Sequence, residues 1–129
     1  MGLEAVLTQR SDRGGVAMEL AVTIPTLILV LLAVLEVVVV ARTQLELVAA
    51  AREGARVAAT VADPSRAVTA VENALAPVLS DRVRVTVTRP AVVGRAATVV
   101  VSLRHRMVTP LLRWLEVDLR GRAVMRVER

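Results

Sequence analysis

Leu20-Ala-Val-Thr-Ile-Pro-Thr-Leu-Ile-Leu-Val-Leu-Leu-Ala-Val-Leu-Glu-Val-Val-Val-Val-Ala41 is the stretch that decides the fold. Of its 22 residues only Thr23, Pro25, Thr26 and Glu36 are not strongly apolar. Wound as a helix at 1.5 Å per residue it spans ~33 Å, enough for a hydrocarbon core ~30 Å thick. The alternative is a buried core helix, but the chain that follows is too short to surround one. A cleaved secretory signal has a shorter apolar region, roughly 7 to 15 residues, closed by a small-residue cleavage site. Arg42-Thr43-Gln44 follows here instead, so a retained single-pass anchor is expected.

Outward from this span the charge is uneven. All 17 basic residues are Arg, and from Arg42 onward 15 Arg face 8 acids. Such a surface attracts anions. Single-stranded nucleic acid also needs aromatic platforms, and one Trp with no Phe and no Tyr does not supply them. Nucleic acid is therefore not expected as a partner. Lipid headgroups, acidic envelope polymers or neighbouring subunits fit better. Arg10 and Arg13 precede the span while Arg42, Arg52 and Arg56 follow it, so the positive-inside rule leaves orientation open. The short segment 1–14 is expected to be cytoplasmic, with the C-terminal part outside.

Beyond Ala41 the helical pattern runs on without a breaker until Asp63-Pro64, so the span belongs to an extended helix over residues 15–62. Asp63-Pro64-Ser65 offers a cap for a second helix, in which Val68, Val71, Leu75 and Leu79 recur at near-helical spacing and Pro77 forces an end or a kink. Val83, Val85 and Val87 then alternate with Arg84, Thr86 and Thr88. Ala97, Val99, Val101 and Leu103 do the same across a Pro90-to-Gly94 loop, which reads as a hairpin. After a turn or short helix at Thr109-Pro110 to Leu115, residues Val117, Leu119, Ala123, Met125 and Val127 form a third strand. The expected class is α+β: a long membrane-spanning helix, then a domain at 63–129 with one helix and a three-stranded antiparallel sheet. Sixty-seven residues are marginal alone, so contact with the chain's own long helix or with neighbours is expected.

Catalysis finds no support in the residue pattern. Cys is absent and His105 is the single His. Glu116, Asp118 and Asp81 lack metal-ligand spacing, and no nucleophile elbow occurs. Neither a cofactor nor a metal is expected.

Three local patterns remain. Arg13-Gly14-Gly15-Val16-Ala17-Met18-Glu19 puts an acid five residues after Gly14, at the edge of the apolar run. Glu36 is an acid inside the span, which marks either a functional contact or a headgroup-level placement near Arg42. Ala50, Gly54 and Ala58 form a small-residue stripe of the kind that lets helix backbones approach closely, beside Arg52 and a Glu53–Arg56 pair at i, i+3. The bland readings are an interfacial Glu, Pro25 tolerated in a membrane helix, and an Ala-rich helix with solvated charges.

Taken together, Gly14 to Pro25, Glu36, the run Ala50-Ala51-Arg52-Glu53-Gly54-Ala55-Arg56, Pro110 and the closing Met125-Arg126-Val127-Glu128 resemble the TadE-like pseudopilins of tight-adherence pilus systems. Where that family has an aromatic after each of its two acids, this chain has Leu20 and Val37. The resemblance implies a minor pilin or pseudopilin in the inner membrane, a structural component rather than an enzyme. It further implies a type IV prepilin-like signal cut by a prepilin peptidase after Gly14 or Gly15, with Glu19 neutralising the new amino terminus of an adjacent subunit. Other pilins, pilus platform proteins and membrane lipid are the implied partners. The alternative is a membrane-anchored accessory or binding protein of the cell envelope that is neither processed nor assembled.

Overall fold

The backbone of residues 3–128 and the side chains of 15–110 and 112–128 are described by a computed structural model. The element order is α1 (Leu3–Thr60), α2 (Pro64–Ala74), α3 (Pro77–Ser80), β1 (Val83–Thr88), β2 (Ala96–Arg106), a 3-10 turn (Pro110–Leu112) and β3 (Glu116–Arg126). This is the expected α+β order. The chain divides into two compact units, Met1–Glu36 and Val37–Arg129.

The first unit holds the head of α1. From Val16 to Leu35 its large apolar side chains are exposed, Leu31 by 67% and Val22 by 66%. Apolar surface on this scale is unfavourable in water and is what a membrane helix presents to lipid. The helix continues through Pro25, and the Thr26 hydroxyl donates to the carbonyl of Val22 at 2.8 Å.

The second unit is built on a helix that was already wound. The sheet has the order β1-β2-β3, both pairs antiparallel, with Val85 opposite Val101 and Val101 opposite Gly121. Period-two alternation turns Val99, Val101, Leu103, Leu119 and Ala123 inward, against Leu47, Ala50, Ala51, Ala55 and Ala58 of α1 and Ala67, Val71 and Leu75 of α2. The compact unit therefore reaches back to Val37 instead of beginning at Asp63. The extra helix supplies the core that 67 residues lacked.

The helix side of the core is mostly Ala, so backbones must come close. Gly121 on β3 faces the turn of α1 at Leu47, where an added Cβ would run into the carbonyl carbon and oxygen of Leu47. Gln44 Nε2 donates to the carbonyl of Arg120 beside it, at 2.7 Å. The alternation of Val117, Leu119 and Ala123 predicts the strand but gives Gly121 no role. Met125 continues that alternation but lies at the rim, 36% exposed.

The ends of the elements are satisfied by specific partners. Asp63 caps α2 by accepting from the Ser65 amide at 3.0 Å, and Pro64 occupies the first helical position. The last carbonyls of α1 find partners far away in sequence: Arg89 Nε donates to Ala58 at 2.7 Å, and the Glu128 amide donates to Ala59 at 3.0 Å. Helix-end carbonyls have no partner within their own helix. The β1–β2 connection turns through Gly94 at φ 83°, a left-handed conformation open to glycine.

Gly121→Ala should destabilise the second unit by about 1 to 3 kcal/mol, because the helix backbone it meets cannot rotate aside. Gly15→Ala, with nothing in contact range, should be neutral. Thermal unfolding of the detergent-solubilised chain, followed by circular dichroism, checks the order. Protonation gives a second expectation. The Ser65 hydroxyl first, then its amide, hold the Asp63 carboxyl below its usual range. A depressed carboxylate stabilises the fold above its unfolded pKa, ~3.9, and that contribution is lost as pH falls through the folded value. Protection of the Ser65 amide, relative to its intrinsic exchange rate, should fall on acidification below about pH 4, and Asp63→Asn should blunt the change.

Candidate functional site

The residues singled out by sequence fall into three places. Gly14 lies on the α1 backbone, and its surroundings, like the rest of the 1–14 leader's side chains, are outside the described residues. Gly15 has open space around it, and Glu19 is exposed at the start of the apolar surface. Glu36 differs from every other described acid in being buried, 6% exposed, and it is engaged in an interaction.

The third place is the face of α1 from Leu47 to Ala59. Ala50, Gly54 and Ala58 are all buried. An added Cβ at Gly54 would overlap Cγ2 of Val71 on α2 and come within 3.2 Å of Cγ1 of Val99 on β2. The close approach assigned to partner helices is thus made by the chain's own α2 and β2. A stripe of small residues reads the same whether a helix or a sheet will cover it, which is why the sequence left its partner open.

On the opposite side of the same helix stretch the charges are solvated. Arg56 donates to both carboxylate oxygens of Glu53, at 2.6 and 3.1 Å. Hydrogen bonds from this guanidinium lower the Glu53 pKa, and the carboxylate raises that of Arg56. Arg42 and Glu46 form a looser pair at 3.8 Å, and Arg52 is exposed. This is a polar face available to a neighbour.

The outer face of the sheet is basic. Strand register sets Arg84, Ser102 and Arg120 in one row and Arg104 beside Asp118 in the next, and with Arg82 they line an open groove. Arg104 reaches Glu116 at 3.8 Å and Asp118 at 3.7 Å, so the acids are drawn to one side and Arg82, Arg84 and Arg120 dominate the other. His105 points inward from β2 and is buried. Among the described residues no cluster of three or more His, Asp or Glu has the placement of a metal site.

Comparison with known proteins bears on the helix. Residues 14–56 match the family described as TadE-like protein. The matched segment runs from the glycine pair through the apolar span to Arg56, and it includes Glu19, Pro25, Glu36 and Gly54. No curated protein and no solved structure matches the chain.

Gly54→Leu should therefore lower the stability of the second unit in the isolated protein by about 1 to 3 kcal/mol or more, through overpacking against Val71 and Val99. Arg52→Ser, on the solvated face, should leave melting unchanged. Melting of the solubilised chain tests both, and an unaltered midpoint in Gly54→Leu would return the stripe to partner helices.

Proposed function

We propose, from the TadE-like segment at the head of the chain, that this protein is a minor pilin or pseudopilin of a tight-adherence pilus system. It is held in the inner membrane by the first part of α1, with the sheet domain outside, and its role is structural rather than enzymatic. The observation that carries this reading is the order within one family match: a glycine pair, an acid at Glu19, an apolar helix of membrane length, then a small-residue helix face. A prepilin peptidase cuts after Gly14 or Gly15. The new amino terminus then requires a countercharge at the edge of the bilayer, and Glu19 of a neighbouring subunit supplies it, because an unpaired carboxylate there is costly.

Assembly partners are other pilins and the platform proteins of the inner membrane. With Ala50, Gly54 and Ala58 occupied by the chain's own sheet, the helix contacts available to those partners are the apolar face around Pro25 and the polar face of Arg52, Glu53 and Arg56. A second reading, an unprocessed accessory protein anchored in the envelope, draws on the same burial. A helix that covers its packing stripe internally has less surface left for a helical bundle.

Processing separates the two. Coexpression with the cognate prepilin peptidase should give a product lacking the leader by mass spectrometry. Gly14→Val should block the cut, while Glu19→Ala should permit it and impair assembly. An intact amino terminus despite active peptidase selects the accessory reading. Orientation is checked separately: Ser80→Cys, in a chain without native cysteine, should react with a membrane-impermeant thiol reagent in intact spheroplasts. Labelling only after lysis would reverse the topology and remove the pilin reading.

A further inference from the structure

The connection from β2 to β3 has an unusual composition for a surface turn. Turns between strands are ordinarily polar, yet Met107 to Leu115 contains Val108, 65% exposed, and Trp114, 77% exposed, the chain's one aromatic residue. The loop is well tied at its base and within its body. The Met107 amide donates to Leu115 at 3.3 Å, those of Leu112 and Leu115 donate to Thr109 and Leu112 at 3.0 and 2.8 Å, and Thr109 is buried. Arg106 closes the base on Glu116 at 3.0 Å. Val108 and Trp114 are therefore displayed from a structured turn.

Its level along α1 follows from contacts within the second unit. Arg120 on β3 is bonded to Gln44, and Glu128, just past the strand, is bonded to Ala59. Strand and helix run in the same direction, and about two helical residues keep pace with each strand residue, as a rise of 1.5 Å against 3.4 Å dictates. Four strand residues back from Arg120 bring Glu116 about seven or eight helical residues before Gln44, level with Val37. Val40 and Val117, both packed on the same core, agree with that level. Val37 to Ala41 is the last turn of the apolar run, so the loop stands where the helix leaves the hydrocarbon. The β1–β2 connection also exposes Val92 and Val93, but it belongs to the other end of the sheet, near Ala58 and Ala59, about 33 Å farther along α1.

We propose that the β2–β3 connection is a second membrane contact, with Trp114 and Val108 seated in the headgroup region of the leaflet that α1 exits. Trp is favoured at that depth because its ring is apolar and its indole N–H remains within reach of water and headgroups. Arg113 beside it suits the phosphate level. Such a contact fixes the rotation of the chain about its own helix axis in the bilayer, which a single spanning helix leaves free. The inference rests on α1 being a membrane anchor, and the experiment tests the two separately.

The full chain is reconstituted at low density in phosphatidylcholine vesicles. Intrinsic fluorescence then reports Trp114 alone. Its emission should be blue-shifted relative to exposed indole, and lipids brominated close to the headgroup should quench it more than lipids brominated at mid-chain. The double variant Leu31→Trp, Trp114→Phe reports the span and should be quenched most by mid-chain bromine. Val92→Trp, Trp114→Phe reports the far loop and should respond to aqueous iodide and to neither lipid. If Trp114 behaves like position 92 while position 31 is quenched by lipid, the loop contact is refuted and the anchor stands. If Trp114 is shielded from both iodide and bromolipid, it is covered by another copy of the chain, and the inference is again refuted. If position 31 is also unquenched by lipid, the anchor reading itself fails and takes the loop contact with it.

Discussion

Close approach between β3 and α1 is the constraint on which the second unit depends. A core in which Ala is the commonest residue and no aromatic is buried has little bulk to fill a wide gap, and protein interiors do not tolerate voids. Sheet and helix must meet at short range, which Gly121 permits on one side and the Ala-rich face from Ala50 to Ala59 permits on the other. Each depends on the other: enlarging either separates the layers along their whole length, so the cost of one methyl group is spread over many lost contacts.

That constraint also explains how a short chain makes two kinds of surface from one helix. From Leu20 to Leu35 most side chains of α1 are large, apolar and exposed. From Leu47 they become small and buried on one face, with Arg52, Glu53 and Arg56 on the other. The change in residue size divides the part of the helix suited to lipid from the part suited to a sheet. The TadE-like match spans both, which ties the anchor to the packing face and leaves the sheet to be argued from its own residues.

The span, the hairpin, the third strand and the Asp63 cap were legible because each rests on local periodicity or on a side chain beside the backbone it serves. Val83 to Leu103 could be placed in strands without knowing what they would cover. The partner of the Ala50, Gly54 and Ala58 stripe was not legible. Small residues signal proximity but carry no mark of who approaches, and the sheet that does so lies dozens of residues away. Gly121 escaped for the same reason: inside a strand it breaks the apolar alternation, and its purpose shows only once Leu47 is seen opposite. Glu36 could be recognised as exceptional, though its burial could not.

The two carbonyls near the end of α1 set an order of events. Ala58 and Ala59 are made early in synthesis, but their partners, Arg89 and Glu128, arrive later, the second almost at the end of the chain. Until then those two carbonyls have only water as a partner. The unit is closed like a clasp, its last residues locking a helix end laid down long before. Anything that keeps β3 and Glu128 away from α1 therefore leaves that helix end without its closing partner.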